Sequence, residues 1–177
     1  KRSNQWRRWQ QDVIPPLIPH FVGLLHLTKS LRLSDTLQLP IQTACTGLVP
    51  CSVTKRKIAI LRFSCKSLPV EDIELEICEC TSAAMQLMQY GAFPCAPFHP
   101  SLAVDLRMLE FTMNLFIQIA PNNTAFSLTL ERCIASMGFQ LDHQNSLQRR
   151  FGNCLMWYIH LCNQTKEHYS IKLEEAR

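Results

Sequence analysis

Two thiols one residue apart, Cys78 and Cys80, lie in the stretch Ile77-Cys78-Glu79-Cys80-Thr81. Cysteines that close can share one soft metal ion through their thiolates. Thr81 and Ser82 follow, and both are residue types that cap helix N-termini. The partial positive charge of a helix start helps hold thiolates in the ionised form that binds metal. A second pair lies upstream, in Cys45-Thr46-Gly47-Leu48-Val49-Pro50-Cys51. Gly and Pro between those cysteines suit a turn that brings both sulfurs inward. Zinc takes four ligands in a tetrahedron, commonly from two close pairs. We therefore expect Cys45, Cys51, Cys78 and Cys80 to hold one Zn²⁺. Cys95, in Phe93-Pro94-Cys95-Ala96-Pro97, is the substitute ligand. Cys133, Cys154 and Cys162 fall on apolar helix faces and read as small core residues.

The elements that must position these thiols follow from the periodicity. Glu71 to Cys78 alternates strictly, with Ile73, Leu75 and Ile77 on one face and acids on the other. Residues 57–63 are rich in Ile, Leu and Phe, and Ser67-Leu68-Pro69 marks a turn. An antiparallel hairpin over 57–63 and 71–78 is expected, preceded by a loop over 32–56. Met85, Leu87, Met88 and Tyr90 then define a short helix that Gly91 stops. Phe93 to Pro100 holds three prolines and reads as an extended linker. Helices are expected over 102–120, from Asn122–Thr124 to Gly138, and from Ser146 past Cys162. At the start, Trp6, Trp9, Val13 and Leu17 keep helical spacing, with Trp6 and Trp9 buried and Arg7 and Arg8 exposed. Pro15 and Pro16 should break or kink that helix before a second one, Leu17 to Leu31.

Composition bounds the function. The chain has 177 residues, 47% hydrophobic and 18% charged, enough apolar content for one packed domain. It has no apolar run of membrane-spanning length and no signal-peptide core at its start, so an intracellular, membrane-free protein is expected. In that setting nine cysteines argue for thiols and metal ligands rather than disulfides. The net charge of +4 is compatible with nucleic-acid contact. There is no Gly-rich phosphate loop, no nucleophile elbow and no His-Glu-x-x-His, so neither an enzyme nor a small-molecule substrate is expected.

A cysteine knuckle, a hairpin and then a helix is the layout of a treble-clef zinc finger. The fold expected is α+β: a small zinc-bound β-hairpin, treble-clef-like, packed against a mainly α-helical bundle. One domain spans 1–177. Residues 1–32 form a helical arm, 41–100 the cysteine cluster with hairpin and short helix, and 101–177 a helical subdomain.

Longer motifs carry a resemblance. They are Trp9 to Pro15 with its Val-Ile-Pro turn, the cysteines Cys45 and Cys51, Ile77-Cys78-Glu79-Cys80, Gln86-Leu87 and Gly91-Ala92-Phe93-Pro94-Cys95-Ala96-Pro97. Ser101 to Phe111, Ala120-Pro121-Asn122-Asn123-Thr124-Ala125, Ser146 to Asn153 and Trp157-Tyr158 continue it. Over roughly residues 6 to 160, in order, the chain resembles the Cys-x-Cys-type cysteine-cluster domain found N-terminal to the transposase domain of Kyakuja-Dileera-Zisupton (KDZ) elements, best known from basidiomycete fungi. The resemblance implies a zinc-chelating, non-catalytic module of a nuclear transposase, binding DNA or positioning the transposase domain. The acidic triad of the family's RNase-H-like catalytic domain has no counterpart in these residues. Lys55, Arg56 and Lys57 beside the hairpin, and Arg149 and Arg150 on the last helix, are the candidate phosphate contacts. The rival readings are a protein-interaction module with a purely structural zinc, and a decayed transposon fragment.

Overall fold

The strongest alternation in the chain forms an edge strand. In the computed structural model, which describes residues 2–32, 51–63, 70–78, 80–140 and 146–175, β1 (Thr54–Leu61) and β2 (Val70–Ile77) pair antiparallel. Ile58 stands opposite Ile73 and Leu61 opposite Val70. This is the expected hairpin; Cys65 and the Pro69 turn lie outside the described residues.

Two more strands correct the expected secondary structure. β3 (Ala92–Pro94) replaces the start of the supposed linker, and β4 (Leu102–Asp105) replaces the first turn of the supposed helix. β4 runs parallel to β1, with Ala59 opposite Leu102, and β3 pairs antiparallel with β4. The described residues thus form an α+β fold with one mixed four-stranded sheet, ordered β2-β1-β4-β3. β4 misleads for a physical reason. It is a central strand buried on both faces, so Leu102, Ala103 and Val104 form an unbroken apolar run, which matches a buried helix equally well. Pro94 is tolerated because β3 lies at the sheet edge. The sheet therefore joins the cysteine-rich stretch to the segment after residue 100.

Three helices stand near the sheet in sequence: α1 (Arg2–Arg8) and α2 (Ile14–Leu27) before it, and α3 (Ala83–Gln89) within it. α4 (Leu106–Gln118), α5 (Asn123–Ser136) and α6 (Leu147–Glu175) follow. Pro15 and Pro16 do not break the first helical segment. A wide π-helical turn, Trp9–Val13, precedes them, and the Ile14 N–H donates to the Trp9 carbonyl. The prolines then occupy the first turn of α2, where missing N–H donors cost little. Asp105 caps α4 by accepting from the Arg107 N–H at 2.9 Å, and Asn122 caps α5 by accepting from the Ala125 N–H at 2.9 Å.

The sheet separates two apolar layers. Ile58, Ile60, Leu75, Ala92 and Ala103 meet Leu87 of α3 on one face. Leu61, Phe93, Leu102 and Val104 meet α2, α4 and α6 on the other. Through that second layer runs a line of rings. Trp9 stacks on Phe93 at 5.5 Å and on Trp157 at 5.4 Å, Phe93 meets Tyr158 edge-on, and Tyr158 meets Phe21. Trp6 closes the line against Trp157 at 4.6 Å. Trp9 is buried as expected, but Trp6 is 51% exposed, which corrects the expectation of two buried tryptophans.

A polar network braces the other end of the sheet. Arg62 donates to Glu71 at 2.7 Å and lies over the Tyr90 ring, whose hydroxyl donates to Glu71 at 2.6 Å. Asp105, almost fully buried, faces both Arg62 and Arg107. Burial raises the Glu71 pKa, but the Tyr90 and Arg62 hydrogen bonds and the Arg62 charge outweigh it and hold the carboxyl below its ordinary value.

Two outcomes follow. Trp9→Ala should lower unfolding free energy in urea by about 3–5 kcal/mol, and Trp6→Ala by only about 1 kcal/mol. A depressed carboxyl stabilises the fold above its unfolded pKa and loses that contribution as pH falls through the folded value. The stability gap between wild type and Glu71→Gln should accordingly shrink below pH 4.5, the ordinary glutamate value, in a pH series of urea melts. A gap that stays constant with pH would refute the role of the charge.

Candidate metal centre

Strand register decides where the thiols go. Thr54 at the start of β1 stands opposite Ile77 at the end of β2. Cys51 enters β1 and Cys78 leaves β2, so antiparallel pairing carries both to the same open end of the hairpin. The chain then bends through Cys80 toward α3. The Cys78 N–H donates to the Thr81 carbonyl at 3.4 Å, and Ser82 caps α3 by accepting from the Met85 N–H at 3.3 Å. Gln86, buried on α3, donates through its amide to the Glu76 carbonyl at 2.6 Å and the Thr81 carbonyl at 3.3 Å. One side chain thus ties the end of β2 to the bend after Cys80. Gln86 was legible only as part of the Gln86-Leu87 motif; nothing in its spacing marks it as the brace of this turn.

The outcome is a thiol triad. The sulfurs of Cys51, Cys78 and Cys80 all lie within 4.8 Å of one another, and Cys51 Sγ is 3.1 Å from Cys80 Sγ. Cys51 and Cys78 are half-buried, and Cys80 is exposed to solvent. Sulfurs at about 2.3 Å from a tetrahedral metal stand about 3.8 Å apart. The triad brackets that spacing and fits one face of a thiolate tetrahedron, so the donor set suits a metal ion. Three of the four expected ligands are therefore brought together; Cys45 lies outside the described residues.

Cys95 is placed elsewhere. It packs with Cys154 of α6, whose thiol is pushed well above its ordinary pKa by burial and by the neighbouring Cys95. Cys154 is fully buried and donates to the Phe93 carbonyl at 3.5 Å, as a core thiol would. Cys162 is half-buried, and burial raises its pKa against a hydrogen bond from Tyr158. Cys133 is half-buried on α5.

The two basic groups differ in their surroundings. Lys55 lies 3.6 Å from Glu74 and 3.4 Å from Glu76, and Lys57 stands opposite Glu74 in the strand register. Arg56 is half-buried opposite Leu75. The acids of β2 thus offset the Lys55–Lys57 charge. Arg149 and Arg150 stand on the first turn of α6, where Arg150 donates to the Ser101 hydroxyl at 3.1 Å. No helix among the described residues is long and apolar enough to cross a membrane.

A family model described as a CxC1-like cysteine cluster associated with KDZ transposases matches residues 40–137. No curated protein and no solved structure matches the chain.

Removing one triad sulfur should be felt at once by the metal. Cys80→Ala should weaken Zn²⁺ binding more than about 100-fold, beyond the loss usual for groups outside the ligand set. Cys154→Ala should leave stoichiometry and affinity unchanged. Titration against a competing chelator measures both, and full zinc retention in Cys80→Ala would place the site elsewhere.

Proposed function

Because the chain belongs to the family of CxC1-like cysteine clusters associated with KDZ transposases, we propose that it is a zinc-binding, non-catalytic module that contacts DNA or positions a transposase domain. The convergence of Cys51, Cys78 and Cys80 at the open end of the hairpin carries this reading. Thiolates are soft ligands, and a closed all-sulfur tetrahedron is the usual structural zinc site, with no position left for a reacting water. Cys45 is the natural fourth ligand. With it the site becomes treble-clef-like: a knuckle, the β1–β2 hairpin, then α3. The metal would pin the end of the hairpin where Cys51 enters β1 and Cys78 leaves β2, and the module would work in the nucleus beside its transposase.

Two surfaces suit the two roles. For DNA contact, Arg149 and Arg150 are better placed than Lys55 and Lys57, whose charge is offset by Glu74 and Glu76. For positioning a partner domain, the last turns of α6 are exposed on all sides and carry Tyr169, Ile171 and Leu173. Fluorescence anisotropy with zinc-loaded protein separates the roles. DNA contact through the two arginines predicts an affinity that falls with salt, with a log–log slope of about −1.8 on duplex DNA. Salt-independent or absent DNA binding, with zinc fully retained, would leave domain positioning as the function.

A further inference from the structure

A cleft between α1 and α6 has no part in the thiol site. Its volume is about 760 Å³, within the range of small-ligand pockets. Trp6 and Trp157 form its aromatic wall, and Arg149, Arg150, Asn153 and His99 supply its polar groups. None of the described residues lining it is acidic.

We propose that this cleft binds unpaired nucleotides of a single nucleic-acid strand, with one base stacked on Trp6. Trp6 is the observation that points to a ligand. A tryptophan left 51% exposed is unusual, and here one side of it is fixed against Trp157 at 4.6 Å. Trp157 is fixed in turn by Trp9, and Trp9 by Phe93, all three buried. The exposed indole is thus a rigid platform, backed by a line of rings that reaches the core. Rigid aromatic surface beside cations is the chemistry by which single strands are held: bases stack on the ring, and arginines track the phosphates.

The polar groups match that ligand. Arg150 is held by the Ser101 hydroxyl, and Arg149 precedes it on the same helix turn. Asn153 and His99 are exposed and can hydrogen-bond a base edge. At the flank, the Arg8 guanidinium lies 4.9 Å from the Phe98 ring centre, which places a further cation beside the cleft. A proline-rich peptide would also use paired tryptophans, but it has no need of a wall lined by two arginines and, among its described residues, by no acid. Duplex DNA keeps its bases stacked and offers no free face to Trp6. The proposal extends the DNA-contact reading above, and its chemistry does not involve the thiols.

The test uses zinc-loaded protein and labelled strands of about ten nucleotides, long enough for one such site. A thymine strand, its RNA equivalent, the matching duplex and a proline-rich peptide are compared by anisotropy. A single strand, DNA or RNA, should bind at least about tenfold more tightly than the duplex. Trp6→Ala should weaken strand binding about 5- to 150-fold, the value of one lost base stack, while Trp6→Tyr keeps most of it. Arg149→Gln should reduce the steepness of the salt dependence by about 0.7. Urea melts and zinc content establish that each variant is folded. Equal strand binding by wild type and Trp6→Ala would overturn the proposal, as would binding of the peptide alone. If only duplex binds and Trp6→Ala is neutral, this cleft is refuted while DNA contact stands. If no nucleic acid binds to fully zinc-loaded protein, both are refuted.

Discussion

The packing of Trp9 between Phe93 and Trp157 is the contact on which the architecture depends. It joins three parts of the chain that share no hydrogen-bonded element: the N-terminal helical segment, the edge strand β3 and the long helix α6. Large aromatic rings contribute more buried area per residue than any other side chains, and offset stacking adds to it. The π-helical turn at Trp9–Val13 belongs to the same constraint. It lets the helix run into Pro15 and Pro16 while Trp9, Val13 and Ile14 stay buried. A break at the prolines would release that helix from its partners.

The thiol triad is built on a different principle. Among the described residues, no ring pair or buried apolar cluster includes its three cysteines. Two backbone features and one side chain set it: the antiparallel register of β1 and β2, the bend after Cys78, and the Gln86 amide that braces that bend from α3. Sheet register moves in whole residues, and a slip of one would send every side chain to the opposite face. The apolar alternation of Ile73, Leu75 and Ile77 therefore fixes the position of Cys78 as firmly as it fixes the core.

Alternation made the hairpin legible, because β2 is an edge strand with one solvated face. The same signal fails for β4, whose parallel neighbour β1 and covered faces erase the alternation. Burial of the two tryptophans divides likewise. Helical spacing places Trp6 and Trp9 near one face, but only the tertiary position of Trp157 decides that Trp9 is enclosed and Trp6 is the outermost ring. Cys51, Cys78 and Cys80 could be grouped from residue type and the hairpin between them. The Cys95–Cys154 pairing could not, since it depends on how α6 crosses the sheet. The matching of Lys55 by Glu74 and Glu76 was implicit in the acidic face of β2, and needed only the register to become visible.

The line of rings also imposes an order on the making of the molecule. Trp6 leaves the ribosome roughly 150 residues ahead of Trp157, and at ordinary translation rates the interval is on the order of ten seconds. During that time the first helix presents two tryptophans with no permanent surface to cover them. The hairpin, whose strands are neighbours in sequence, closes within microseconds of emerging. The thiols at its end can therefore meet metal before the aromatic layer exists. Assembly then runs from the thiol end toward the stack, and the segment that carries Trp6 and Trp9 finds its place only after α6 has emerged.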